Sequence, residues 1–216
     1  MAADTQIDVL PVFVDLSKLK ARTTTDLRQK YPQFDFIILM ASRLTKEKNI
    51  GLELKAMRSI VPKNSRTGMI IVREGPEKDM LGVQTQTYGL KNNVIFESWS
   101  FDLSSYFQTV DVFLITSNYE GYGRTVIEAM NFGCPVIMTD VGLAGEILRD
   151  GENGVVIPVN DKNKLIEAIT LMKDEEKRKN FAENAKKIIR AFYGKNEYLK
   201  RYKKTWDTCL IKNSSI

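Results

Sequence analysis

The stretch SNYEGYGRTVIEAMNFGCPVIMTD, Ser117 to Asp140, sets two glutamates around a pair of glycines and ends in an apolar run. Just before it, VDVFLI (110–115) is apolar at nearly every position, the pattern of a strand covered on both faces. Thr116 to Gly123 then reads as a loop at the carboxyl end of that strand, and a helix is predicted over Arg124–Phe132. Gly133 and Pro135 close the helix in the usual order, and PVIM (135–138) begins the next strand. Strand, helix, strand is the repeating unit of a parallel sheet with right-handed crossovers.

The same alternation extends outward. Further strands are predicted at FIILMA (36–41), MIIV (69–72), NVIF (93–96) and GVVIP (154–158), with helices at Ile50–Ile60, Pro76–Tyr88, Leu103–Thr109, Ala144–Leu148 and Lys162–Met172. In the first helix Leu52, Ala56 and Ile60 recur at helical spacing, and Asp102 and Asp161 stand where N-caps belong. The expected fold class is therefore α/β, a Rossmann-like doubly wound parallel sheet. After Met172 the alternation gives way to two helices, about Glu175–Phe192 and Glu197–Leu210, broken near Gly194. Tyr198, Tyr202 and Trp206 make one stripe on the second, expected to pack on the chain's own core, the alternative being an exposed surface for a further domain. At the other end, VLPVFVDL reads as a strand or an extended linker and Thr23–Tyr31 as a short helix. The expected organisation is a linker remnant and short helix over residues 1–34, a Rossmann-like domain over 35–172, and C-terminal helices packing on it over 173–216.

Composition narrows the chemistry. With 43% hydrophobic and 27% charged residues in 216, the chain is that of an ordinary globular protein. It has no run of 18 apolar residues, and MAADTQIDVL lacks the features of a signal peptide. There is no histidine, and the cysteines are Cys134 and Cys209 alone, so neither a disulfide framework nor an ordinary zinc site is expected, and a cytoplasmic location fits. The net charge of +5 is concentrated between Lys173 and Lys204, where twelve Lys/Arg face five Asp/Glu. Solvated surface helices account for such a segment, and peripheral contact with anionic lipid headgroups is a second reading. No aromatic-interleaved motif accompanies the charge, so a nucleic-acid partner is not expected.

The glutamates fit the loop they occupy. The carboxyl edge of a parallel sheet is where ligands bind, and a helix start behind glycines presents unpaired N–H groups suited to phosphate. Gly121 and Gly123 let the backbone come close to such a ligand. Glu120 precedes them, and Glu128 lies one turn into the helix, where a carboxylate can turn back towards the pocket. Carboxylates accept hydrogen bonds from sugar or ribose hydroxyls, so the local inference is a phosphate flanked by hydroxyl-rich groups, a nucleotide-sugar.

The stretch EGYGRTVIEAMNFGCPVIMTDVGLAGEIL, followed by DGENGVVIP, resembles the signature of retaining GT-B glycosyltransferases of family four, with its Glu–seven residues–Glu motif at Glu120 and Glu128. ASRLTKEKN resembles the family's strand-end arginine and nearby lysine at Arg43 and Lys48, and the likeness runs from about Phe36 to Lys200. It implies one half of a GT-B fold, the donor-binding half. It also implies that Glu120 bonds the donor sugar, that Glu128 bonds the ribose, and that Arg43 and Lys48 neutralise the departing diphosphate in place of a metal. Backbone N–H groups at Arg124 and Thr125 would complete the phosphate cradle, Gly75 would line it, and Trp99 would lie against the base. No cofactor is implied beyond the nucleotide-sugar substrate.

Two departures stand out. Where the family has a GxGP turn, IIVREGPEK keeps Gly75 and Pro76 but has Arg73 for the first glycine, which either obstructs the pocket or adds a phosphate contact. LPVFVD has Val12 and Phe13 in place of the Asn and Gly of the family's linker. The resemblance also implies a partner, an acceptor-binding N-terminal domain preceding Ile7, without which transfer is not expected. Two other functions compete. One is a non-catalytic nucleotide-binding or interaction module on the same fold; the other, an epimerase or phosphorylase, fits poorly without histidine or a much longer chain.

Overall fold

The computed structural model describes residues 10, 12–19, 25–100, 102–192 and 194–213, with the backbone alone over 208–213. In chain order the elements are α1 (Leu27–Lys30), β1 (Phe36–Ala41), α2 (Ile50–Ile60), β2 (Thr67–Val72), α3 (Lys78–Thr87), β3 (Val94–Glu97), α4 (Leu103–Thr109) and β4 (Val112–Ile115). Then follow α5 (Arg124–Asn131), β5 (Val136–Thr139), β6 (Val155–Ile157), α6 (Lys162–Leu171), α7 (Glu175–Arg190) and α8 (Lys195–Asn213).

The six strands form one sheet in the order β3-β2-β1-β4-β5-β6, every neighbouring pair parallel. All six residues of β1 and of β2 are buried, as a sheet covered on both faces requires. Ile37, Leu39, Phe113 and Ile115 join a cluster with α4, α5 and α7, whereas Ile38, Met40, Val112 and Leu114 join one with α2, α3 and α6. Each large apolar side chain so buried contributes roughly 1.5–3 kcal/mol, so a one-residue slip is strongly disfavoured. The register Phe36↔Thr67 through Ala41↔Val72 is thereby fixed.

Asp102, Asp161 and Asp174 cap α4, α6 and α7, each side chain accepting a hydrogen bond from a first-turn N–H. At the amino edge of the sheet, buried Asp111 accepts from Ile37 N at 2.8 Å and pairs with Arg28 at 2.8 Å and Arg178 at 3.2 Å. One carboxylate thus ties α1 and α7 to β1 and β4.

Three expectations need correction. Ala144–Leu148 is no helix. Gly145 there has φ +82°, Ala144 bridges Leu148, and the Asn153 side chain binds Arg149 N and Ile147 O, so a compact turn forms instead. The described part of VLPVFVDL forms no strand and runs into a 3-10 turn at Leu16–Lys18; Val9 and Pro11, like Thr23 and Thr24 of the helix expected over Thr23–Tyr31, lie outside the described residues. Lastly, α7 buries Phe181, Ala185 and Ile189, but α8 does not bury its aromatic stripe. Tyr198 meets Phe13 with ring centroids 5.2 Å apart, while Tyr202 and Trp206 are exposed.

Candidate functional site

The sheet order runs outward from β1 on one side and from β4 on the other, so the crevice between their carboxyl ends is the topological switch point. Arg43 and Lys48 lie on the loop leaving β1, and Glu120 and Gly123 on the loop leaving β4, with Arg124 and Thr125 opening α5. These six line one cavity of about 310 Å³. A second, of about 880 Å³, adjoins it along Arg73, Trp99, Arg124 and Thr125 and is lined by Glu128. Residues up to 85 positions apart in sequence are gathered by the topology alone.

Lys48 Nζ donates to Glu120 Oε1 at 2.7 Å, and Ser117 Oγ donates to the same oxygen at 2.8 Å. Both charged side chains are mostly buried, so solvent screens the pair weakly. Gly123 precedes α5 with φ +101°, a conformation that a side chain would strain. Glu128 is half-buried; burial raises its carboxyl above the ordinary range, against the opposing charges of Arg124 and Arg73. The Arg124 guanidinium is 3.7 Å from it.

Two of the expected residues stand elsewhere. Gly121 lines neither cavity, and a Cβ there would meet only open space. Gly75 also lines neither; its Cβ would come within 2.4 Å of Leu44 O, so the absent side chain lets the loops after β1 and β2 touch. Trp99 is a cavity wall rather than a core residue, 37% exposed.

Arg73 departs most from the ordinary. It follows β2 with φ +138°, a region costing a residue with a side chain about 1–3 kcal/mol. Its guanidinium lies 4.0 Å from the centroid of the Trp99 ring. A cation–π contact at such an exposed site offsets only about 0.5–1 kcal/mol of that.

The supporting shell was not singled out from sequence. Asn49 Nδ2 donates to Asn118 Oδ1 at 3.2 Å and to Asn160 Oδ1 at 2.7 Å, linking the loops that follow β1, β4 and β6. Asn49 and Asn160 hold φ +54° and +62°, which asparagine tolerates better than most; that was the only sequence signal. Asn118 N donates to Glu47 O at 2.8 Å and Thr139 Oγ1 to Ser117 O at 2.7 Å. Beneath them Glu53 is fully buried, its Oε1 2.8 Å from Thr116 Oγ1, and desolvation raises its carboxyl to about 8. The Thr116 hydroxyl donates to Glu53 Oε1, which works against that rise, and it also lies 3.2 Å from the Lys48 carbonyl. Among the described residues no group of three His, Cys, Asp or Glu gathers as a metal site would require, and no helix is long and apolar enough to cross a membrane.

Fold and cleft together define a Rossmann-like α/β domain with a cationic, carboxylate-flanked crevice at its switch point. The chain belongs to the family of glycosyl transferases group 1, whose model matches residues 23–188. Among curated relatives, the poly(glycerol-phosphate) alpha-glucosyltransferase of Bacillus subtilis is 30% identical over 173 residues, 79% of this chain and 26% of that protein. Among solved structures, Anabaena HepE in complex with UDP-glucose matches with TM-score 0.75 and 26% identity, over 84% of this chain and 51% of its own. The C-terminal domain of the Francisella tularensis group 1 family protein LpcC matches with TM-score 0.73 and 22% identity, over 85% of this chain and all of that domain. The fold is thus that of the C-terminal domain of a GT-B glycosyltransferase of the family-four type. The chain spans a quarter to a half of the length of its curated relatives.

Proposed function

We propose that this chain is the donor-binding half of a retaining glycosyltransferase, which holds a nucleotide-diphosphate sugar and does not transfer sugar by itself. The observation that carries the reading is the convergence of Arg43, Lys48, Glu120 and the start of α5 on one cavity, with Glu128 and Trp99 on the cavity beside it. The diphosphate lies in the first, against Arg43, Lys48 and the N–H groups at Arg124 and Thr125. Glu120, oriented by Lys48 and Ser117, accepts from hydroxyls of the donor sugar. Glu128 accepts from the ribose, and the base lies along Trp99.

Transfer breaks the bond between the anomeric carbon and the β-phosphate oxygen, and the electron pair departs with the diphosphate. Fixed cations at that oxygen stabilise the developing charge with no reorganisation at the moment of reaction. An acceptor hydroxyl forms the new glycosidic bond with retained configuration and gives its proton to the departing β-phosphate oxygen, on a surface that an N-terminal domain completes. The UDP-glucose named in the HepE complex supports a nucleotide-sugar as ligand class, while base, sugar and acceptor are unassigned.

A non-catalytic binding module is the second reading, favoured by the arginine at position 73 inside the cleft. Substitution at Arg43 separates a phosphate site from a scaffold. In Arg43→Ala, affinity for the nucleoside diphosphate falls about tenfold or more, as expected for loss of a charge-assisted bond. Unchanged affinity in titration calorimetry would remove Arg43 from the phosphate site. A turnover assay finding robust transfer by the 216-residue chain would refute its dependence on a further domain.

A further inference from the structure

The backbone around Arg73 is held from both sides. Its N–H donates to Glu97 O at 3.2 Å, fixing it to the end of β3. The next carbonyl, Glu74 O, accepts from Leu44 N at 3.2 Å, and Gly75 is pressed against the Leu44 backbone. These contacts hold the backbone where Arg73 has φ +138°, a conformation that glycine alone adopts without strain. The arginine therefore strains the fold, its contact with Trp99 offsets only part of the upper range of that strain, and a further role is to be sought in the cleft.

Its position there is specific. Arg73 and Trp99 both line the smaller cavity, with Arg43 and Lys48, and the larger one, with Glu128. In the smaller cavity four cations, Arg43, Lys48, Arg73 and Arg124, stand against two carboxylates, Glu47 and Glu120. Lys48 is engaged by Glu120 and Arg124 lies near Glu128, whereas the Arg73 guanidinium lies on the indole face. That face is a surface on which a nucleotide base would stack, and base and guanidinium cannot occupy it together.

We propose that Arg73 is a third phosphate-binding cation of the cleft, whose stacking on Trp99 gives way to a grip on the diphosphate when a base takes the indole face. The proposal rests on the donor reading above. A planar guanidinium suits both states, since it stacks on an aromatic face and grips two phosphate oxygens with parallel N–H donors. Because Arg73 already borders both cavities, the exchange needs side-chain rotation only. The residue thereby couples recognition of the base to neutralisation of the phosphates, and a nucleoside without phosphate gains nothing from it.

The test compares the 216-residue chain with Arg73→Gly and Arg73→Lys by calorimetric titration with UDP, GDP and ADP and with the parent nucleosides, alongside thermal melts. Arg73→Gly is expected to melt higher, because strain is relieved. It is also expected to lose about tenfold or more in affinity for the diphosphate that the parent binds. Its nucleoside affinity stays level or rises, since Trp99 is uncovered. Arg73→Lys keeps the charge without the planar face and recovers part of the loss. Equal or tighter diphosphate binding by Arg73→Gly would overturn the proposal and make the arginine an obstruction, with the donor reading intact. A lower melting point for Arg73→Gly would overturn it as well, by making the side chain structural. No binding of any diphosphate by either protein would sink the donor reading, and this proposal with it.

Discussion

Oε2 of Glu53 is buried without a hydrogen-bond partner, directly under the loops that carry Lys48 and Ser117. Desolvation raises this carboxyl from 4.5 to about 8, so the folded state keeps a proton that the unfolded chain has released. The sign follows from linkage. The group's contribution is fully present below about pH 4.5 and is lost as pH rises towards 8, at up to about 1.4 kcal/mol per pH unit. Glu53→Gln keeps the shape and the bond to Thr116 but cannot ionise. Urea unfolding at pH 5 and pH 8 is expected to show the parent losing stability across that interval and the variant losing markedly less. Parallel losses would mean that Glu53 is not the buried acid. Sequence gave no hint of this group, since a glutamate in a helix is ordinarily solvated. Arg73 was visible as an anomaly, but its dihedral angle and its contact with Trp99 were not.

At the scale of elements, the strands were legible because burial on both faces writes itself as uninterrupted apolar runs. FIILMA is β1 without correction. Helices announced by a cap were legible too, as at Asp102 and Asp161. Ala144–Leu148 failed because five residues are too few to carry a period, and the turn is set by Gly145 and by a side chain at Asn153. The asparagine links behind the cleft join positions 69 and 111 residues apart, which no local pattern encodes. Asp111 is another such long-range tie, holding α1, α7 and β1 at the edge of the sheet away from the cleft. Asp111→Ala is expected to cost about 3 kcal/mol, because it takes the carboxylate from mostly buried Arg178 and leaves the Ile37 N–H without its acceptor. Denaturant unfolding checks this, and a loss below about 1 kcal/mol, the range of exposed pairs, would show the tie to be superficial.

The whole molecule is a doubly wound sheet whose one switch point gathers cations, carboxylates and a helix start into adjoining cavities. Glu120 and Glu128 could be placed at the sheet's carboxyl edge because the topology was predictable, whereas Arg43 and Lys48 were marked only by the resemblance of ASRLTKEKN to the family's pattern. Gly75 and Gly121 line neither cavity, since glycine near a cleft can equally serve packing or stand open. The stripe of Tyr202 and Trp206 was visible, but helical periodicity marks a face without saying what covers it, so burial on the core and exposure as a surface both stood open. The central claim is that the cleft holds a nucleotide through its diphosphate and its ribose. Calorimetric titration of the chain with UDP, GDP and ADP, with Glu128→Ala in parallel, tests it most directly. Binding of one nucleotide, weakened about tenfold or more in the variant, is the predicted result. Absence of binding to all three, or equal binding by parent and variant, would contradict it.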